Sequence, residues 1–120
     1  MSKTLEAVSH LEDDARGYGF YYPNTELIIK QIKDECDEVL EAIHQNESPE
    51  RIQEEIGDLI HATMALCHHQ GFDIDETILK AANKFSKRMV RLKEAARNEG
   101  LDNLHGQPLS DLIRLWKQAK

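Results

Sequence analysis

Apolar residues recur at three- and four-residue intervals along most of this chain, and no convincing stretch alternates them with period two. That is the repeat of helices rather than strands. Ile28, Ile32, Val39 and Ile43 share one stripe, and Ile52, Ile56, Leu59, Thr63 and Leu66 share another. A further stripe holds Ile78, Ala81, Ala82, Phe85, Met89 and Leu92. A first helix is expected from near Thr4 to Arg16, after which GYGFYYPN interrupts it with glycines, aromatics and Pro23. Asn24 or Thr25 can cap a second helix that runs to about His44, with Glu26 favourable in its first turn. QNESPE is a turn, and Ser48 can cap a third helix with Pro49 at its first position. That helix ends near Gln70, where Gly71 is a natural stop. A fourth helix is expected from about Asp75 to Asn98, closed by Gly100, and a short one follows in LSDLIRLWKQAK. The expected fold is all-α, a bundle of four to five helices. Residues 1–120 form one domain, with a tail over 102–120 that carries the short helix. So few helices make a thin core, so oligomerisation is expected to complete it.

One residue disturbs the pattern. Glu35 sits in the middle of the second helix's apolar stripe, where Leu or Ile would be expected. An unpaired carboxylate in an apolar interior costs roughly several kcal/mol. Either the stripe is not fully buried, or something cationic meets the carboxylate. Glu38 lies three residues on, and Glu55 and Asp58 repeat the spacing along the border of the third helix's stripe. Residues three apart are neighbours on a helix, and like charges so placed repel. The short connection makes these helices antiparallel neighbours. Glu35 and Glu38 lie about two turns before it, Glu55 and Asp58 about two turns after it, so all four come to similar height. Gly57, without a side chain, leaves room for a backbone or ligand to approach.

The composition narrows the classes of function. The 120 residues suit one domain. The formal net charge of −7 argues against nonspecific binding to nucleic acid or to an anionic membrane. No apolar run approaches the roughly 18 residues that span a bilayer, and the first twenty residues hold no hydrophobic signal core. The expected compartment is the cytoplasm. Cys36 and Cys67 lack CxxC spacing and read as reduced packing residues.

Clustered carboxylates suit Mg²⁺ or Mn²⁺, hard cations that keep several waters and commonly share substrate phosphates. Solvated helix faces fit the spacing as well. DECDE followed by EEIGDL resembles the EExxE…ExxD signature of MazG-type nucleoside triphosphate pyrophosphohydrolases. ANKFSKR is similar to that family's Lys/Arg-bearing third segment, and LIRLWKQAK to the closing Leu-Trp-x-x-Ala-Lys of several members. The resemblance covers about residues 17–120 in order and spacing. It implies an all-α fold and Mg²⁺-dependent cleavage of an NTP or dNTP to the monophosphate and pyrophosphate. It also implies assembly as a homodimer or homotetramer, and a role in nucleotide-pool control or house-cleaning. By position, Glu35, Glu38, Glu55 and Asp58 would be the catalytic metal ligands. The first acid of EExxE is Asp34 here, a shorter side chain, which puts a role for that position in doubt. Glu54 points to another side of its helix, with a water-positioning role and solvent exposure both open.

Lys84 and Arg88 are four apart and share a face, as a phosphate-binding pair would; Lys87 points elsewhere. Asn83 can hydrogen-bond sugar or phosphate. Trp116, the only tryptophan, suits stacking on a base or docking of the last helix. Tyr18, Phe20, Tyr21 and Tyr22 can wall a base pocket or dock their loop on the core. Two other readings fit the sequence. One is a MazG-like binding or regulatory protein without catalysis. The other is a carboxylate-bridged di-iron bundle using Glu41-x-x-His44 and Asp58-x-x-His61, although Glu41 faces away from Glu35 and His44 ends its helix. His61, His68 and His69 read as surface or edge residues.

Overall fold

Four of the five helices start at a side chain able to cap them, and these caps set the boundaries. The computed structural model describes residues 2–120. Helix α1 (Lys3–Tyr18) begins at Ser2, whose hydroxyl accepts from the Leu5 N–H. Helix α2 (Thr25–His44) is capped by Asn24, which accepts from the Leu27 N–H at 3.0 Å. Helix α3 (Pro49–His69) starts behind Ser48, which accepts from the Arg51 N–H at 3.2 Å. Helix α4 (Ile74–Asn98) begins behind Asp73, which accepts from the Glu76 N–H at 2.8 Å. Helix α5 (Leu109–Gln118) starts after Pro108 with no side-chain cap. These bonds satisfy N–H groups that have no partner inside the helix. Among the described residues there is no strand, so the all-α expectation holds.

Helix α1 runs two residues beyond the expected Arg16. Gly17 is tolerated inside it, and the stop comes at Gly19. Gly19 adopts φ 97°, where a side chain would be strained, and its N–H bonds the Arg16 carbonyl while the Phe20 N–H bonds that of Ala15.

The chain divides into two compact units, one ending at Thr77 and one running from Ile78 to Lys120. In the first, α2 and α3 pair as a hairpin and α1 lies against α3. Ile28, Ala42, Ala62 and Ile74 are buried there. In the second, Leu92, Leu115 and Ala119 form a small core, flanked by Met89, Leu104 and Trp116. Burying a side chain such as Leu115 contributes about 1.5–3 kcal/mol. The last carbonyls of α5 are satisfied by α4: Arg88 donates to the Trp116 carbonyl at 2.6 and 3.2 Å, and Arg91 to that of Ala119 at 2.7 Å.

The apolar stripes are only partly covered. Ile28 and Leu92 are buried, but Ile43, Ile56, Ile78 and Phe85 are 46%, 41%, 42% and 59% exposed. Each of the four lies on an expected core stripe. Among the described residues no helix is long and apolar enough to cross a membrane.

Candidate metal centre

The antiparallel hairpin brings Glu35 of α2 against Glu55 and Asp58 of α3. One carboxylate oxygen from each lies within 4.8 Å of the others, and this is the one such group of His, Cys, Asp or Glu among the described residues. Three of the four expected ligands therefore meet. No histidine joins them: His61 Nε2 is 2.7 Å from Glu12, and Glu41 accepts from Gln45. The carboxylate–histidine pattern of a di-iron bundle is absent from the cluster.

Glu35 is buried, 9% exposed. Its Oε1 accepts from Gln31 Nε2 at 2.7 Å, while Oε2 is buried with no donor. The fourth expected ligand, Glu38, is exposed beside it. A hydrogen bond with Glu35, followed by the negative charge of Glu35 and then by burial, Asp58 and Asp34, pushes the Glu38 carboxyl above its usual range. Proton and cation are alternative ways to relieve this repulsion. The orphaned Glu35 oxygen and the all-oxygen donor set fit a hard divalent cation.

Asp34 accepts from Lys30 at 3.1 Å and is not among the three acids that meet. Glu55 already has a cationic partner. Arg51, one turn earlier on α3, donates to Glu55 at 2.7 Å and to Glu54 at 2.8 Å, and lies 3.6 Å from Glu47. Sequence reasoning passed over Arg51, although its i+3 and i+4 acids were a signal.

A cavity of about 610 Å³ adjoins the cluster. Glu35 and Asp58 line it, and along α3 the lining continues through His61, Ala62 and Ala65 to His68 and His69. Glu12 and Arg16 of α1 face it, as do Phe20, Tyr21 and Tyr22. These three aromatics do wall a cavity; Tyr18, 90% exposed, does not. The histidines are tied to α1: His61 to Glu12 and His68 to Asp13, both at 2.7 Å, and His69 Nδ1 accepts from Arg16 at 3.1 Å.

Asn83, Lys84, Arg88 and Trp116 belong to the second unit. Asn83 and Lys84 are exposed on α4. Arg88 lies over the Trp116 ring, 3.7 Å from its centroid, besides bonding its carbonyl. Phe85 packs on the same ring at 5.9 Å. Arg88 and Trp116 thus dock α5.

Residues 24–91, more than half of the chain, match the model of the MazG nucleotide pyrophosphohydrolase domain. The chain is similar to the nucleoside triphosphate pyrophosphohydrolase/pyrophosphatase MazG of Thermotoga maritima, 28% identical over 97% of this chain and 44% of that protein. It is also similar to the nucleoside triphosphate pyrophosphohydrolase of Escherichia coli K12, 29% identical over 85% of this chain and 39% of that protein. An uncharacterised protein of Bacillus subtilis, YabN, is 28% identical over 67% of this chain and 15% of its own length. The chain spans less than half the length of these relatives.

Proposed function

Because this chain belongs to the MazG nucleotide pyrophosphohydrolase family, we propose that it hydrolyses an NTP or dNTP to the monophosphate and pyrophosphate with Mg²⁺, Mn²⁺ substituting. The observation that carries this reading is the buried Glu35, its Oε2 without a donor, with one carboxylate oxygen within 4.8 Å of oxygens of Glu55 and Asp58. Glu35, Glu55 and Asp58, with Glu38 beside them, are the residues proposed to hold the cation. A cation held there supplies positive charge to a triphosphate and lowers the pKa of a bound water.

The chain's own side chains do the rest. Gln31 fixes the orientation of Glu35. Arg51 neutralises Glu55 and must share or release it when a cation arrives. The adjoining cavity is of a size to take a nucleoside, and its aromatic rings suit stacking on a base. From the family resemblance, Lys84 and Arg88 are proposed to bind phosphate, Asn83 sugar or phosphate, and Trp116 the base. Arg88 and Trp116 would combine that role with docking α5.

The reading requires a compartment that holds nucleoside triphosphates, the cytoplasm, and a role in pool control or house-cleaning. It includes assembly as a homodimer or homotetramer, supported by the exposed Leu40, Ile43, Ile56 and Ile60 of the hairpin. The test is Mg²⁺-dependent pyrophosphate release beside the Glu38→Gln protein. Release that the variant loses supports the enzyme. Tight metal and nucleotide binding without any release would instead make this a binding member of the family.

A further inference from the structure

The cavity beside the carboxylates has a wall that phosphate chemistry leaves unused. Asp58, His61, Ala62 and Ala65 follow one another along α3 and all line it. With a helical rise of about 1.5 Å per residue, the two alanines lie about 6 and 10 Å along the axis from Asp58. That is the span from an α-phosphate across a sugar to a base. Alanine leaves space over that stretch for a flat ring. Glu12 of α1 comes to the same place, its side chain 19% exposed and its Oε1 2.7 Å from His61 Nε2. An ionised carboxylate only accepts, so His61 donates, and one N–H leaves acceptor capacity on Glu12 unused. The neighbouring groups are engaged: Arg16 with His69 and stacked 5.0 Å from the Tyr21 ring, His68 with Asp13. Glu12 is therefore a largely buried acceptor, held in position, in the wall where a base would lie.

We propose that Glu12, oriented by His61, selects nucleotides whose base carries an exocyclic amine over those with a carbonyl at the same position. This rests on the pyrophosphohydrolase reading. An amine N–H donates to the carboxylate. A carbonyl there sets acceptor against acceptor with no hydrogen between, and leaves the second lone-pair site of a largely buried Glu12 without a donor. Cytosine against uracil, and adenine against hypoxanthine, differ at this atom. The keto bases gain a ring N–H, but it is flanked by a carbonyl oxygen that the carboxylate repels.

The experiment measures kcat and KM for these two pairs of triphosphates, with calorimetric binding of CMP and UMP, on the native chain and on the Glu12→Gln and Asp13→Asn proteins. Circular dichroism checks that each variant keeps its helices. The native protein should favour the amine member of each pair at least about tenfold in kcat/KM. Glu12→Gln offers donor and acceptor alike and should bring both ratios towards one, chiefly through KM. Asp13→Asn takes the charge from another α1–α3 pair, Asp13–His68, and should leave the ratios as they are. Equal use of both members, preference for the keto member, or a preference that Glu12→Gln leaves unmoved would overturn the inference and leave the proposed activity standing. CMP bound above UMP by the native chain and not by Glu12→Gln, without hydrolysis of any nucleotide, would support Glu12 as the selector and sink the activity. Neither hydrolysis nor nucleotide binding would sink both.

Discussion

A carboxylate that is 9% exposed with one oxygen lacking a donor is a destabilising feature unless a cation or proton meets it. Glu35→Gln should therefore stabilise the metal-free protein by about 0.5–2 kcal/mol while abolishing Mn²⁺ binding, as destabilised functional groups do when neutralised. Thermal unfolding and calorimetry check the two halves. Glu38 gives a pH dependence of definite sign. Its pKa is raised on folding above the ordinary 4.5, so the folded chain holds that proton more tightly than the unfolded one. The stabilisation is complete below the ordinary value and is lost as pH rises through the raised one. Denaturant unfolding of metal-free native and Glu38→Gln proteins should show a stability difference that changes in this way; a flat difference would contradict the raised Glu38 pKa. Arg51 already bonds Glu55, and on the proposed metal site Arg51→Ala should tighten Mn²⁺ binding in calorimetry. Glu35 could be singled out in the sequence because it breaks an apolar stripe. The Glu12–His61 pair could not, being 49 residues apart and dependent on how α1 settles on α3.

At the scale of elements, the helices followed from caps and periodicity, because each cap lies within a few residues of what it satisfies. What escaped local reading was the use of charged residues across helices. Lys84 and Arg88 share a face by spacing, yet Arg88 is drawn to the open carbonyl end of α5 and the Trp116 ring. Arg88→Ala should loosen α5, costing about 1–3 kcal/mol for the lost charge-assisted bonds. Because Trp116 is the only tryptophan, its fluorescence should shift to the red; an unchanged spectrum would show that α5 docks without Arg88. A further tether is a fork from Arg114 to Glu99, at 2.7 and 2.9 Å, which holds the Glu99 carboxyl below its usual range. A lowered carboxyl stabilises above its ordinary pKa and loses that contribution as pH falls through the lowered one.

For the whole molecule, the sequence carries more apolar stripe than its own helices cover. Ile56 and Ile60 of α3 are 41% and 48% exposed, and Leu40 and Ile43 of α2 are 52% and 46% exposed. A second copy is the proposed cover, so Ile60→Lys should lower the mass seen by light scattering; a native chain that is already monomeric at micromolar concentration would contradict the assembly. That each helix is amphipathic was legible in the sequence. Which part of each stripe its own neighbours cover was not, because that depends on side-chain volumes and crossing angles rather than on period. The acidic cluster was legible because the short hairpin fixes the register of α2 against α3. The central claim is that this cluster supports hydrolysis of a nucleoside triphosphate, and pyrophosphate release tests it most directly. With Mg²⁺ and a panel of NTPs and dNTPs, the native chain should release pyrophosphate, EDTA should stop it, and Glu38→Gln should lower it by at least about a hundredfold with helicity intact. Release that persists in the variant, or no release from any nucleotide, would contradict the account.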